Sequence, residues 1–242
     1  MIDQIRTGAH RIDVLYEDNH LLVAVKPPNL PTQADRSGDD DLLNILKRYI
    51  GNKDQKPGTV YLGLVHRLDR PVGGVMVFAR TSKAASRLSA AFSAHAQDRR
   101  YLAVVRGMLE GGAVLEDDLL KDGATGTVRV VAAGTPGARH ARLETRPLAT
   151  RDGLTLTEVT LYTGRAHQIR VQHAHAGHPL WGDARYGDGR PGQQIALWAA
   201  ALAFEHPTRH ETMRFISPPP EGGIWTQFKG ETDRWIKENQ YA

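Results

Sequence analysis

Short apolar runs of strand length recur along most of this sequence and constrain its fold more than any other feature. Many alternate apolar with polar residues or carry β-branched side chains, which is typical of β-strands. At residues 151–153 the sequence Arg-Asp-Gly separates two such runs, and an Asp-Gly pair favours a tight hairpin turn. The pattern predicts a sheet with strands over 20–26, 62–66, 75–80, 101–107, 127–133, 142–150, 154–162, 196–206 and 212–217.

A few segments have the spacing of helices instead. Residues 39–51 begin with three aspartates, which favour a helix N-terminus, and end at a glycine. Residues 81–97 begin with a Thr-Ser cap and carry one apolar face, which leaves Lys83 and Arg87 on the other side. A third helix is predicted over 166–176. Few helices without regular alternation with strands favour an α+β fold, built on a largely antiparallel or mixed β-sheet with flanking helices.

The composition excludes several classes of protein. Because none of the 242 residues is cysteine, the chain forms neither disulfides nor thiolate metal sites. The first residues mix charges and lack the apolar core of a signal peptide. The longest apolar run, residues 195–204, is too short to span a bilayer. A soluble cytoplasmic protein with no membrane partner is therefore expected.

The charges are unevenly distributed, although the formal net charge is only +4. Between residues 80 and 106 six basic residues face one acid, and a second basic stretch covers 165–190. The acids gather at 35–41 and 115–123. Such separation of sign is what a surface for a polyanion requires, and nucleic acid is the commonest polyanion. Ordinary solvated helix and loop surfaces are the alternative explanation.

The segment HRLDRPVGGV, residues 66–75, places an acid at the break between two apolar runs. Asp69 stands between Arg67 and Arg70, whose positive charges favour the ionised carboxylate. A rigid turn between strands suits a nucleophile or a base. A structural ion pair at a strand end is the alternative, and from these residues alone it is the commoner arrangement.

A second segment, residues 163–187, is rich in hydrogen-bond donors. Arginines together with Gln and His suit the recognition of phosphates and base edges. Its histidines also raise the alternative of a metal site, but the His-Glu-x-x-His spacing is absent and no metal is expected. The donors are Arg165, His167, Gln168 and Arg170, and the histidines, expected to be structural or RNA-facing, are His167, His173, His175 and His178.

Tyr101 opens a predicted strand directly after the basic pair Arg99 and Arg100. A lone tyrosine in that position is by default a core residue. Because Tyr101 borders a basic segment, its ring can also stack on an unpaired base.

Several segments together resemble the RluA-type family of RNA pseudouridine synthases. HRLDRPVGGV is similar to the family signature His-Arg-Leu-Asp-x-x-Thr-Ser-Gly, with Val72-Gly73-Gly74 in place of its last three residues. The matching segments follow the family's order over most of residues 12–220. The others are LYEDNHLLVAVKPPNLPTQ (15–33), RRYLAVVRG (99–107), TGRAHQIRVQHAHAGHPLWGDARYG (163–187), LWAAALAFEHP (197–207) and MRFISPPP (213–220).

The resemblance implies a pseudouridine synthase fold with one catalytic domain over 12–220. An N-terminal extension over 1–11 would precede it, without room for a further RNA-binding domain, and a tail over 221–242 would pack on it. The implied activity is isomerisation of specific uridines in ribosomal or transfer RNA, with base flipping and without metal or cofactor. A monomer with no obligate protein partner is expected.

The resemblance also implies roles for individual residues. Asp69 would be the nucleophile, attacking the base or C1′ of the ribose, and Arg170 would pair with it. Tyr101 would stack on the target base and act as general base. Arg67 would fill the space left by the flipped uridine. The further residues expected to bind RNA are His66, Lys83, Arg87, Arg99, Arg165, His167 and Gln168.

Two other classes of protein stay open at this stage. One is an RNA-binding module on the same scaffold that has lost catalysis, since fold alone does not establish activity. The joint presence of Asp69, Tyr101 and Arg170 favours the enzyme over that module. The other is a metal-dependent hydrolase that uses the histidines, and activity retained in a chelator would exclude it.

Overall fold

The computed structural model describes residues 3–55, 58–94, 96–190 and 192–240, and the chain divides into two compact units. The first unit comprises residues 1–97 and 201–217, and the second comprises 98–200 and 218–242. Both units are built mainly from β-strands with few helices, as the α+β prediction requires.

The first unit is a sheet flanked by two helices. Its strands follow the order β1-β2-β3-β5-β11, with β4 paired to β5 and β12 paired to β11. All pairs between β1, β2, β3 and β5 are antiparallel. The elements are β1 (Asp3–Thr7), β2 (His10–Glu17), β3 (Leu21–Lys26), α1 (Leu42–Lys53), β4 (Gly63–Leu64), β5 (Gly73–Ala79), α2 (Ser82–Ser93), residues 201–205 of β11 (Leu197–Glu205) and β12 (Thr212–Ile216).

Capping side chains and an apolar face fix the two helices of this unit. Asp41 caps α1 by accepting the amide hydrogen of Asn44, and Thr81 caps α2 by accepting that of Ala84. Leu88 of α2 is buried in the cluster that joins this helix to β3, β5 and β11. Both predicted helices are confirmed, although α1 begins three residues later than the predicted start.

The second unit is a sheet in the order β11-β6-β10-β9-β7-β8, and its pairs from β6 to β8 are antiparallel. Asp152 and Gly153, with φ of 50° and 71°, turn β9 into β10, which confirms the predicted hairpin. The elements are β6 (Asp98–Arg106), β7 (Ala113–Lys121), β8 (Val128–Val131), β9 (Arg139–Arg151), β10 (Leu154–Leu161), α3 (Gln168–His175), residues 197–200 of β11, a 3₁₀ helix (Gly223–Phe228) and α4 (Lys229–Asn239).

Described residues near both ends of the chain belong to these units. Residues 3–7 form β1, which pairs with β2, so the predicted extension over 1–11 contains a strand of the first unit. In the tail, Trp225, Phe228 and Trp235 are buried. None of the helices in the described ranges is long and apolar enough to cross a membrane.

Candidate active site

Asp69 lies in the first unit, on the turn that connects β4 to β5. Its carbonyl accepts the amide hydrogen of Val72 at 3.0 Å, which closes the turn. Leu68 and Val72 on either side are buried, whereas Asp69 itself is half-buried. Gly74 has φ of 129°, a backbone conformation that side chains disfavour. The buried side chains of Leu68 and Val72 therefore fix the turn that carries the Asp69 carboxylate. The positive φ explains why residue 74 is a glycine.

Lys26 hydrogen-bonds to the turn that carries Asp69. This lysine was not identified as a site residue from the sequence. Its side chain is fully buried at the end of β3. The ammonium donates hydrogen bonds to the carbonyls of Pro27 at 3.1 Å, Leu30, and Arg70 at 3.0 Å. Burial lowers the pKa of Lys26 to about 7, against the opposing attraction of Asp69. The available signal was a lysine closing the apolar run VAVK.

The two arginines that flank Asp69 have different environments. Arg67 is exposed and makes no hydrogen bond or ion pair with any described residue. Arg70 instead binds the acidic loop: it donates to the Ser37 hydroxyl at 3.1 Å and forms ion pairs with Asp35 and Asp39. Arg70 therefore acts locally, on a loop of its own unit, while Arg67 stays open to solvent.

The other predicted RNA contacts of the first unit lie before the turn and on α2. His66 stacks on Phe92, with ring centroids 4.7 Å apart, and its Nε2 accepts the amide hydrogen of Val77 at 3.1 Å. Lys83 and Arg87 are exposed on the outer side of α2. Arg87 donates to the carbonyl of Pro207, whereas Lys83 has no partner among the described residues.

In the second unit, Tyr101 and Arg99 belong to β6 and are two residues apart, so their side chains share one face of the strand. Both are 8% exposed. The Tyr101 ring is thus largely buried. This burial fits both a core residue and a residue that lines a closed site. Arg99 is much less accessible than a surface phosphate-binding residue usually is.

Arg170 belongs to α3 and is held by a buried carboxylate. Its Nε and Nη2 donate to Asp183 at 2.8 and 2.7 Å, and Asp183 has no exposed side-chain surface. Asp183 also accepts the amide hydrogens of Arg185 and Tyr186. Burial raises the pKa of Asp183, but the bonds from Arg170 and these amides outweigh it and lower that pKa overall. The fork holds one edge of the guanidinium through two hydrogen bonds.

A chain of amide side chains fixes the turn that leads into α3. The Gln168 carbonyl oxygen accepts from the Thr163 hydroxyl at 2.8 Å and from the amide of Arg165 at 3.0 Å. Its amide donates to Gln172, which in turn donates to Asp117 of β7. Gln168 is 3% exposed, so its contacts are within the protein. The acidic strand β7 thereby helps to hold the arginine-bearing turn.

The remaining donors of this turn are also anchored. His167 has φ of 53°, and its Nδ1 lies 2.7 Å from the Tyr186 hydroxyl. Arg165 donates from Nε to the carbonyl of His140 at 2.7 Å. Arg165, His167, Gln168 and Arg170 thus lie together at the start of α3, as the sequence predicts.

The histidines of this segment are dispersed rather than grouped. His173 is fully buried, its Nδ1 lies 2.8 Å from the carbonyl of Ile169, and burial lowers its pKa to about 4. His178 lies 2.9 Å from the carbonyl of Arg106. In the described part of the chain, no three metal-ligating side chains come close enough to share an ion.

The fold is that of pseudouridylate synthase domains. The human RNA pseudouridylate synthase domain containing 4 superposes with a TM-score of 0.72 at 20% identity, covering 93% of this chain and 92% of its own. The human RNA pseudouridylate synthase domain containing 1 gives 0.70 at 21% identity, covering 94% and 97%. At this identity the likeness concerns the fold.

Sequence comparison identifies the family. The profile of the RNA pseudouridylate synthase family matches residues 20–175, and the chain belongs to that family. It is 34% identical over 231 residues to ribosomal large subunit pseudouridine synthase D of Pseudomonas aeruginosa, covering 88% of this chain and 70% of the relative. It is 34% identical over 224 residues to synthase C of Escherichia coli, covering 86% and 67%. The protein is an RNA pseudouridine synthase, an isomerase of uridine in RNA, and the family resemblance found in the sequence is confirmed.

Proposed function

We propose that this enzyme isomerises specific uridines of large-subunit ribosomal RNA. The observation that carries the proposal is the 34% identity, over most of the chain, to relatives named ribosomal large subunit pseudouridine synthases. Transfer RNA, the other substrate that the family resemblance allows, has no such support among these relatives.

In the proposed reaction, Asp69 is the nucleophile. The bond between C1′ and N1 of the target uridine breaks, the base rotates, and a bond between C1′ and C5 replaces it. C5 loses its proton and N1 gains one, so the overall change is an isomerisation. A covalent bond from Asp69 to the base would tether the base during the rotation, whereas a bond from Asp69 to C1′ would hold the ribose and leave a closed pocket to retain the base; either bond breaks again as the product is completed. The half-buried turn between Leu68 and Val72 supports this role, because a nucleophile needs a fixed position.

Tyr101 and Arg170 are the other two proposed catalytic residues. The Tyr101 ring would stack on the target base, and its oxygen, as the phenolate, would accept the proton from C5 and become the phenol. Arg170 would form an ion pair with the Asp69 carboxylate and keep it ionised and oriented, and this pairing stays a prediction. The Asp183 fork supports a positioning of Arg170, because it fixes the guanidinium plane through two hydrogen bonds.

The target base must leave the RNA helix before it can react, at a cost of about a few kcal/mol. Arg67 is proposed to fill the vacated place in the base stack. Its exposed guanidinium, which has no partner among the described residues, supports this role. Lys83, Arg87 and Arg165 are proposed to bind backbone phosphates. His66, His167 and Gln168 are proposed to shape the RNA site indirectly, since each is engaged within its own unit.

Replacement of the nucleophile tests the chemistry. Asp69→Asn is expected to reduce tritium release from RNA labelled at C5 of uridine by at least about 10⁴-fold, while RNA binding persists. Asp40→Asn is the matched control, because Asp40 is an exposed acid of the same unit that pairs with Arg48. Undiminished release by Asp69→Asn would refute the assignment of the nucleophile.

Mapping tests the substrate. Pseudouridines are mapped in all RNA from cells with the gene, without it, and with the Asp69→Asn variant. Loss of specific sites from large-subunit ribosomal RNA in the last two strains is expected. Loss confined to transfer RNA would overturn the proposed substrate and leave the enzyme class intact.

A further inference from the structure

Arg99 carries a buried positive charge that the protein leaves almost without hydrogen bonds. Its side chain is 8% exposed, and its Nε is buried with no hydrogen-bond partner in the described part of the chain. Among the described residues, the one hydrogen bond of its guanidinium goes from Nη2 to the carbonyl of Leu161, at a long 3.4 Å. No carboxylate of the described residues forms an ion pair with it. Arginine stays protonated in proteins, so this charge cannot be removed by losing a proton.

Such an arrangement is costly in the free protein. A charge taken out of water is tolerated when a partner charge and hydrogen bonds replace its hydration. Consistent with this, burial lowers the pKa of Arg99, with only a partial opposing effect of Tyr101. By contrast, the neighbouring Arg100 has Asp98 and Glu158 as partners. An unpaired cation beside a paired one in the same strand indicates that its counter-charge comes from outside the protein.

The surroundings of Arg99 show where an anion would arrive. The guanidinium lies against the backbone of Gly164, and a Cβ atom at Gly164 would come within 2.6 Å of Nη1. Gly164 is exposed, so at this position the guanidinium is covered by backbone alone. The next residue is Arg165, which presents a second cation at the same turn. Tyr101, the proposed base-stacking residue, shares the face of β6 with Arg99.

We propose that Arg99, with the turn over Gly164 and Arg165, forms a built subsite for a backbone phosphate of the RNA, next to the nucleotide that stacks on Tyr101. The proposal rests on the family's action on RNA and deepens it. Arg99 is then a substrate-binding residue whose missing partner is the phosphodiester. A charge without a partner in the free enzyme gains its full hydrogen bonding only when RNA is bound, so its cost favours the complex over the free protein.

The test uses Arg99→Gln in the full chain, with total RNA labelled at C5 of uridine from cells lacking the gene. We expect kcat/KM for tritium release to fall roughly 10- to 100-fold, the effect of losing hydrogen bonds to a charged group. The plot of log kcat/KM against log salt should become shallower by about 0.7–0.9, the contribution of one phosphate. Arg100→Gln, which removes the same charge from the opposite face of β6, should leave this slope unchanged.

Two further variants separate binding from a structural role. Arg99→Lys keeps the charge and should retain the salt slope with a smaller loss of kcat/KM. Gly164→Ala keeps Arg99 but displaces its guanidinium, and should lower kcat/KM in the same direction as Arg99→Gln. The melting temperature of Arg99→Gln should not fall, because the variant removes an unpaired buried charge.

The results that would contradict the phosphate subsite differ from those that would contradict ribosomal RNA as the substrate. An unchanged salt slope in Arg99→Gln would overturn the subsite, whether or not the melting temperature falls. A lower melting temperature in that case would assign Arg99 a structural role. Inorganic phosphate is the second probe. If only RNA phosphate fills the subsite, added phosphate should raise the melting temperatures of the wild type and of Arg99→Gln equally. A larger rise in the wild type would mean that the subsite binds free phosphate. Because total RNA contains every natural target, these results hold whichever RNA the enzyme modifies.

Discussion

At the scale of single residues, Lys26 is subject to two opposing effects on its pKa: burial lowers it and the nearby Asp69 raises it. The ammonium is fully buried, and backbone carbonyls accept its hydrogen bonds. Its three bonds join the end of β3 to the loop that follows and to the residue after Asp69. Loss of Lys26 should therefore disturb both the stability of the first unit and the position of the carboxylate.

The lowered pKa of Lys26, about 7, makes its contribution to stability depend on pH. Below pH 7 the lysine is protonated in both folded and unfolded states, and its burial penalty is constant. Between pH 7 and about 10.4 the unfolded state binds more protons, so stability rises with pH by up to about 1.4 kcal/mol per unit. Urea unfolding at pH 7, 8 and 9 should show this rise in the wild type relative to Lys26→Met. Parallel stability profiles of the two proteins would contradict it.

At the scale of elements, the segments with a repeating pattern were predictable from the sequence. Helix α2 has a cap at Thr81 and a continuous apolar face, and the β9–β10 hairpin has its Asp-Gly turn. The parts that were missed depend on partners distant in sequence. Lys26 bonds to the carbonyl of Arg70, and Arg170 to Asp183. No local period signals such contacts, so sequence motifs indicated candidate site residues but not the residues that hold them in place.

Helix α3 illustrates that dependence, because a carboxylate in the following loop holds its arginine. Asp183→Asn keeps the shape of the side chain but removes the charge from a buried pair, which should cost about 3 kcal/mol of stability. It should also lower kcat more than it raises KM, because Arg170 loses its fixed orientation. Asp188→Asn is the matched control, since Asp188 lies in the same loop and pairs with Arg106 at the surface. Urea unfolding and single-turnover kinetics measure the two effects.

A merely structural role of Asp183 predicts a different outcome. In that case the folded fraction of Asp183→Asn would retain the wild-type kcat at a temperature well below its melting point. Equal effects on kcat in Asp183→Asn and Asp188→Asn would likewise contradict positioning of Arg170.

At the scale of the whole molecule, the proposed chemistry relies on protein side chains alone. The buried His173 hydrogen-bonds within the second unit, and the described residues contain no cluster suited to a metal ion. Tritium release is therefore expected to continue in EDTA, provided that monovalent salt keeps the RNA folded. Adding back Mg²⁺ in excess of the chelator restores any RNA structure that depends on it, whereas Zn²⁺ tests for a histidine-bound ion. Activity that is lost in EDTA and recovered with Zn²⁺, but not with Mg²⁺, would show that the histidines of the second unit hold a catalytic metal and that the mechanism based on Asp69 is incomplete.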